Sequence, residues 1–295
     1  MNCIACAQPV GASEFEQTLS WHAGCADEWA EATLEELGGE SEDVLGDFTE
    51  GYFDPGALAT LAESWAGVLP AVEQGVYLSG SPEDWAKYYV QALTGTSTAY
   101  MSYCMLTPAR DHLKTARDFV ATSRAPVLAP TTFDGQEARE AVAAAYEALG
   151  LIVAQMREAT SDEVDVPSAY QILSAHGLAQ WAAENGDLDE AGRMWKIAAS
   201  QNQVPLIAVN SINSLVFKVL LPLQQMDEAR VWLRRGVELN VGFQSANSLC
   251  NLGIVEFESG ELADAREAFE GVLALPEGPI DEVRYYLDWI AQIEG

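Results

Sequence analysis

Apolar residues return every three or four positions through most of the chain, which is the spacing of one face of an α-helix. The pattern is clear after Ser81, which can cap a helix because Pro82 suits the first helical position. It is repeated after Thr107 and after Asp134. No alternating strand pattern of useful length competes with these assignments. The pattern therefore predicts a mainly α-helical protein.

Residues 168–295 contain an internal repeat. Three segments align on a shared alanine, at Ala191, Ala229 and Ala265, with spacings of 38 and 36 residues. Repeats of this length are typical of helical hairpins stacked into a solenoid. The small residue lets the two helices of a hairpin approach closely, and a large apolar residue four positions later fills the space to the next hairpin.

The repeat resembles the tetratricopeptide repeat family. Its third unit matches best, at Leu249, Leu252, Gly253, Gly260, Leu262, Ala265 and Phe269. The second unit departs from the family pattern, because Gln224 stands where the glycine between the helices is expected. The resemblance implies three repeats followed by a capping helix, and it leaves open whether residues 57–160 are degenerate hairpins of the same stack. The apolar spacing of the capping helix places four residues inward: Val283, Leu287, Ile290 and Ile293.

Members of this family bind peptides or proteins along the face formed by the first helix of each hairpin. The resemblance implies that this face consists here of His176, Gln180, Glu184, Ser211, Ser214, Lys218, Asn247, Cys250 and Ile254. The set is polar and nearly neutral, and it lacks the clustered Lys and Arg with which some relatives clamp a terminal carboxylate. A solvated groove without a ligand is the alternative interpretation.

Cys3, Cys6, His22 and Cys25 form the pattern C-x2-C-x15-H-x2-C. Two close pairs of soft donors supply the four ligands of a closed tetrahedral Zn²⁺ site. A redox pair is disfavoured because no predicted strand precedes it, and a catalytic zinc because four protein donors leave no open position. Histidine is also uncommon in simple iron–sulfur clusters. The pattern therefore predicts a structural zinc ion.

The same segment resembles the first zinc half of a LIM domain and related treble-clef fingers, most closely at Trp21-His22-Ala23-Gly24-Cys25. The resemblance implies that the second ligand pair lies near the start of a helix, over residues 26–37. Because residues 1–37 are too few to bury a sufficient core, we expect the metal to hold this module folded. Residues 38–56 are rich in glycine and acidic residues and predict a linker.

The charge of the chain is strongly acidic. Forty-five Asp and Glu face fifteen Lys and Arg, for a net charge of −30, and no basic residue precedes Lys87. A protein that binds nucleic acid or an anionic membrane needs a basic surface. We therefore expect neither interaction for the zinc module. The acidity is typical of solubility or salt adaptation, or alternatively of a surface for basic partners.

The N-terminal sequence has no basic segment followed by a long apolar one, and the apolar residues 215–223 are too few to cross a bilayer. Together with the metal-like cysteine spacing, this predicts a cytoplasmic protein. No common phosphate-loop, zinc-protease or serine-hydrolase motif occurs. Cys104 and His112 are eight residues apart, but the apolar surroundings of Cys104 favour a buried, inert thiol.

These observations predict a mainly α protein with a small N-terminal zinc module (1–37), an acidic linker (38–56), a helical region (57–160) and a helical-hairpin solenoid (168–295). The expected function is a non-enzymatic adaptor that binds a protein or peptide. One alternative is an acidic regulator that engages a basic partner or mimics nucleic acid. Another is an enzyme within residues 57–160. The sequence does not specify the oligomeric state.

Overall fold

The computed structural model describes residues 23–49, 54–78, 82–122, 136–160 and 168–294. These segments form twelve α-helices and one turn of π-helix, with no strand among them. Within each unit, most successive helices pack as neighbours, an arrangement consistent with an array of helical hairpins. The prediction of a mainly α protein is confirmed. Among the described helices, none combines the length and the apolar character needed to span a bilayer.

The chain divides into two compact units, residues 1–155 and residues 156–295. The first unit contains α1 (Ala23–Thr49), α2 (Pro55–Leu78), α3 (Pro82–Ser102), α4 (Leu106–Thr122) and most of α5 (Gln136–Ala159). The second contains α6 (Ser168–Glu184), α7 (Leu188–Ser200), α8 (Pro205–Leu215), α9 (Met226–Glu238), α10 (Gly242–Glu258), α11 (Leu262–Leu273) and α12 (Ile280–Glu294). A single turn of π-helix (Val216–Leu220), called the π-turn below, continues α8.

Trp65 is the central side chain of the first unit. It lies on α2, is only 3% exposed, and packs closely against α3 at Gly95, where an added Cβ would stand 2.5 Å from the indole ring. Its indole N–H donates a hydrogen bond of 2.9 Å to Ser41 Oγ on α1. One side chain thus joins the first three helices, and Gly95 is required for the close approach.

Helix α1 is longer than the pattern of residues 26–37 predicts. It runs to Thr49 and includes Gly38 and Gly39, although each glycine costs about 1 kcal/mol in a helix interior. Beyond the glycines, Val44 packs against the core and Ser41 accepts the hydrogen bond from Trp65. This packing explains why the first part of the predicted linker is helical. Residues 50–53 of that segment lie outside the described residues.

The three hairpins of the second unit, α6–α7, α8–α9 and α10–α11, are closed by equivalent turns. Gly186, Gln224 and Gly260 occupy the same place in each turn and have left-handed φ values of +82°, +56° and +81°. In each turn the following residue donates its backbone N–H to the carbonyl five positions earlier, at 2.9 Å. Gln224 therefore adopts the conformation that glycine adopts in the other two hairpins, at some cost in strain.

The π-turn lies immediately before the second of these turns. Pro222 has no N–H with which to bond the carbonyl four residues back, and its ring disfavours a continuing α-helix. The chain instead makes a wider bond, from Leu221 N–H to Val216 O at 2.9 Å. Lys218 and Phe217 lie on the π-turn, and both are exposed.

Helix α12, predicted as a capping helix, packs on α11. Val283 and Ile290 are fully buried and Leu287 is partly buried, as expected. The prediction for Ile293 is wrong, because its side chain is 52% exposed. Three residues along an α-helix correspond to about −60° of rotation, so Ile293 is turned from the line of Ile290 towards the side of Trp289.

We expect Gln224→Gly to stabilise the second unit by about 1 kcal/mol, since glycine adopts a left-handed conformation without a Cβ clash. Urea unfolding of the full chain followed by circular dichroism measures this. The matched control is Gln225→Gly, where φ is −87° and no strain is present to relieve. If both variants shift the unfolding midpoint equally, the left-handed turn is not strained.

Candidate functional site

Helices α6, α8 and α10 are the first helices of the three hairpins, and polar side chains join them. Eight of the nine predicted binding residues, all except the exposed Glu184 at the end of α6, are called the first-helix strip: His176, Gln180, Ser211, Ser214, Lys218, Asn247, Cys250 and Ile254. The structure places some of them between helices and leaves others open. The two groups have different roles.

His176 joins α6 to α8 through a chain of hydrogen bonds. Ser211 donates its hydroxyl proton to Ile207 O at 2.7 Å, so it accepts from His176 Nδ1, also at 2.7 Å. His176 Nε2 must then accept from the Gln180 amide at 3.0 Å. The imidazole is therefore neutral and carries its proton on Nδ1. Burial, with a smaller contribution from the positive charge of Lys218, lowers the pKa of His176 to about 4.

Asn213 joins α8 to α10 in a similar way. Its side-chain oxygen accepts hydrogen bonds of 3.0 Å from the Ser248 hydroxyl and from the Asn251 amide. Its amide nitrogen donates to Gln244 O at 3.4 Å. These side chains were not predicted as site residues. Asn213 could have been recognised from the sequence, because it is a polar residue within the apolar sequence of α8. Such a residue usually has a hydrogen-bond partner on a neighbouring helix.

Charged groups on the second helices also connect neighbouring hairpins. Lys196 on α7 lies 2.6 Å from Glu228 on α9, and its hydrogen bond is the main cause of the lowered pKa of Glu228. Arg235 on α9 donates to Ala199 O, at the end of α7, at 2.9 Å. Arg230 on α9 reaches Glu256 on α10 at 2.8 Å, and the Glu256 side chain is only 6% exposed. The hairpins are therefore connected by charged groups as well as by neutral polar ones.

Three residues of the first-helix strip offer little surface to a partner. Ser211, Cys250 and Ile254 are buried, and the latter two belong to the core between α10, α11 and α12. Burial, with a further contribution from Glu282, raises the pKa of the Cys250 thiol to about 12, so it is protonated at neutral pH. Cys250 is consequently a packing residue with low nucleophilicity.

Three other residues of the strip remain open. Ser214 and Asn247 are partly exposed, and neither forms a hydrogen bond with any residue that the structure describes. Lys218 is exposed on the π-turn, with its ammonium 5.8 Å from the centre of the Trp195 ring. Trp195 is fully buried, and its indole N–H has no acceptor among the described side chains and backbone. The open side chains of Ser214, Asn247 and Lys218 are suited to hydrogen bonding with an extended or helical peptide.

Only one of the four predicted zinc ligands lies within the described residues. Cys25 is partly buried in the first turn of α1, which fits the expected place of the second ligand pair at a helix start. Cys3, Cys6 and His22 lie outside the described residues. Within the described segments no three His, Cys, Asp or Glu side chains converge as a metal site. The zinc site stays a prediction.

Cys104 and His112 are positioned for packing. Cys104 is 2% exposed and adopts a left-handed φ of +62° in the turn after α3. The ring of His112 stacks on Tyr100 with 5.6 Å between centroids, and burial lowers the pKa of His112.

No family model matches the sequence, and no curated protein is detectably similar to it. Its function is therefore inferred from the geometry of its own side chains.

We expect His176 to make the stability of the protein depend on pH. Its pKa is about 4 in the folded state and about 6.5 in the unfolded state, so between these values only the unfolded state binds the proton. The contribution of His176 to the free energy of unfolding is therefore fully present above pH 6.5 and is lost as the pH falls towards 4. By pH 5 the loss amounts to roughly 1–2 kcal/mol. The measurement is the difference in unfolding free energy between wild type and His176→Gln from about pH 7.5 to 5.

Wild type and His176→Gln have the same carboxylates, so the titration of those groups cancels in the difference between the two unfolding free energies. Parallel pH profiles for the two proteins would show that His176 is not held neutral by its surroundings.

Proposed function

We propose that this protein is a non-enzymatic scaffold that binds a protein or peptide along the first-helix strip, and that residues 168–295 form a tetratricopeptide-like array. The observation that carries the proposal is the presence of open polar groups, Ser214, Lys218 and Asn247, beside hydrogen-bonded connections that are already complete. The connections hold the first helices in fixed register. The open groups are then presented on a rigid surface, which reduces the entropic cost of binding.

The chemistry of the strip favours a ligand that is read through hydrogen bonds. Lys218 is its only cation, and Ser214 and Asn247 are neutral donors and acceptors. The exposed ring of Phe217, next to Lys218, adds one apolar contact. A ligand with backbone amides, one carboxylate and one apolar side chain satisfies these groups, and a short peptide segment has all three. We therefore propose a peptide segment of a partner protein as the ligand.

A second candidate function rests on α1. Seven of its acidic side chains are exposed, and the helix has no Lys or Arg: Glu28, Glu31, Glu35, Glu36, Glu40, Glu42 and Asp43. An uncompensated acidic face attracts basic proteins, and it can compete with nucleic acid for them. Such binding is electrostatic and weakens as salt rises.

We also propose a structural zinc ion held by Cys3, Cys6, His22 and Cys25, with the role of keeping residues 1–37 folded. The support is the ligand spacing together with the position of Cys25 at the start of α1. Zinc held by four protein ligands has no open position for a substrate, which is consistent with a scaffold.

A peptide selection tests the scaffold proposal. Random peptides displayed on phage are selected against the full chain, and the affinity of the enriched sequences is measured by fluorescence anisotropy. We expect the double substitution Lys218→Ala/Asn247→Ala to weaken binding at least about tenfold, because it removes the only cation and an open amide of the strip. The matched control is Lys114→Ala/Gln155→Ala, two exposed polar positions elsewhere.

If the selected peptides bind the strip variant and the control variant with equal affinity, the strip is not the peptide site. The acidic face of α1 would be favoured instead if the affinity is strongly reduced between about 50 mM and 500 mM salt and is unchanged in both double variants.

The zinc proposal predicts one equivalent of zinc in purified protein by elemental analysis. We expect Cys6→Ser to lose the metal and to make the N-terminal segment sensitive to limited proteolysis, whereas Cys250→Ala, away from the motif, keeps it. Folded wild-type protein that contains no metal would contradict the site.

A further inference from the structure

Helix α12 exposes three large apolar side chains in one line. Tyr285 is 62% exposed, Trp289 43% and Ile293 52%. They are four residues apart, so they follow one another along one side of the helix. We call these three residues the α12 stripe. It spans about two turns, or roughly 12 Å.

Two residues of the α12 stripe, Tyr285 and Ile293, are more than half exposed and are not needed to attach the helix. Val283 and Ile290 are fully buried on its inner face and supply that contact. The terminal helix of a repeat array normally presents polar residues to water. Aligned, exposed aromatic and aliphatic side chains are typical of interaction sites.

The aromatic residues of the stripe are held in place before any partner binds. Trp289 packs against Phe257 of α10 with 5.0 Å between ring centroids, and Tyr285 lies edge-on to Trp289 at 5.8 Å. The neighbouring Tyr286 stacks on Phe269 of α11 at 5.1 Å. A partner therefore meets rigid aromatic side chains, which lose little conformational entropy on binding.

The charges around the α12 stripe are acidic. Asp281 and Asp288, seven residues apart, border one side, and Glu282 extends the line of Trp289 towards the start of the helix. All three are exposed, and none forms an ion pair with a described residue. Arg284 is farther from the stripe around the helix than Asp288 is. Arg266 is paired with Glu294. The surface thus combines an apolar line with unpaired negative charge.

A second copy of this chain is a poor fit to that surface. Two stripes brought together in parallel would place Asp281, Glu282 and Asp288 of each copy against the same residues of the other. In either orientation, two chains that each have a net charge of −30 would be brought together. Like charges in contact oppose association. A complementary partner carries apolar residues in a line with positive charges beside them.

We propose that the α12 stripe is the docking site for a basic amphipathic helix of a partner protein. The apolar residues of that helix, spaced three and four apart, contact Tyr285, Trp289 and Ile293. Its Lys or Arg residues lie against Asp281, Glu282 and Asp288. This site is separate from the first-helix strip and does not depend on the function proposed for it.

The test uses three synthetic helical peptides of about 16 residues with the full-length protein. The first has a leucine stripe flanked by lysines, the second the same stripe flanked by glutamates, and the third the lysines with a scrambled leucine pattern. We expect only the first to bind well in isothermal titration calorimetry. Tyr285→Ser/Ile293→Ser should weaken it at least about tenfold, while Leu151→Ser/Val231→Ser, at equally exposed positions, should not.

Asp281→Asn/Asp288→Asn should weaken binding at low salt and reduce its salt dependence. Lys218→Ala/Asn247→Ala should bind the first peptide as wild type does, which keeps this outcome separate from that of the first-helix strip. Equal binding of the first and third peptides, or no loss in Tyr285→Ser/Ile293→Ser, overturns the proposal. So does a wild-type dimer in sedimentation velocity that becomes a monomer in Tyr285→Ser/Ile293→Ser, because the stripe then binds a second copy.

Discussion

The hydrogen bonds between first helices are the constraint on which the second unit depends. A helical hairpin cannot bury its apolar face alone, so each one must stack on a neighbour. Here the stacking surface contains polar atoms, at His176 and Ser211 and again at Asn213 and Ser248. A buried polar group without a partner costs about 1–3 kcal/mol, so a shift of one helix along another is strongly opposed. Lys218 and Asn247 take no part in these bonds and remain open.

Three cations of the second unit connect neighbouring hairpins. In a protein of net charge −30, general repulsion disfavours a compact state. Lys196 and Arg230 meet carboxylates on the next hairpin or helix, and Arg235 holds carbonyl oxygens at the end of α7. The first helices are thus joined by neutral polar groups, and charged groups on the second helices add further connections between hairpins. Rising salt weakens the exposed charged contacts and leaves the neutral ones largely unaffected.

The sequence predicts the helices and the order of the hairpins, because apolar spacing and turn residues act locally. Gln224 is recognisable as the residue in the glycine position, and the structure shows it in the left-handed conformation. Long-range packing was not predictable. Gly38 would normally end a helix, yet α1 continues because Trp65, twenty-four residues beyond Ser41, binds that serine. The burial of Cys250 likewise depends on where α12 packs, which helical periodicity within α10 does not reveal.

The π-turn also bears on how the length of the chain can vary. The left-handed turn residues are 38 positions apart between the first two hairpins and 36 between the last two, so the unit that contains the π-turn is the longer one. A π-turn accommodates one more residue than an α-turn without changing the helices on either side. One of the two extra residues is therefore accommodated next to Pro222, since residues 205–224 are one longer than the corresponding residues 242–260. The other lies in the loop before α8, which has four residues (201–204) where the loop before α10 has three (239–241). In such an array a repeat can gain a residue in its chain while keeping its place in the stack.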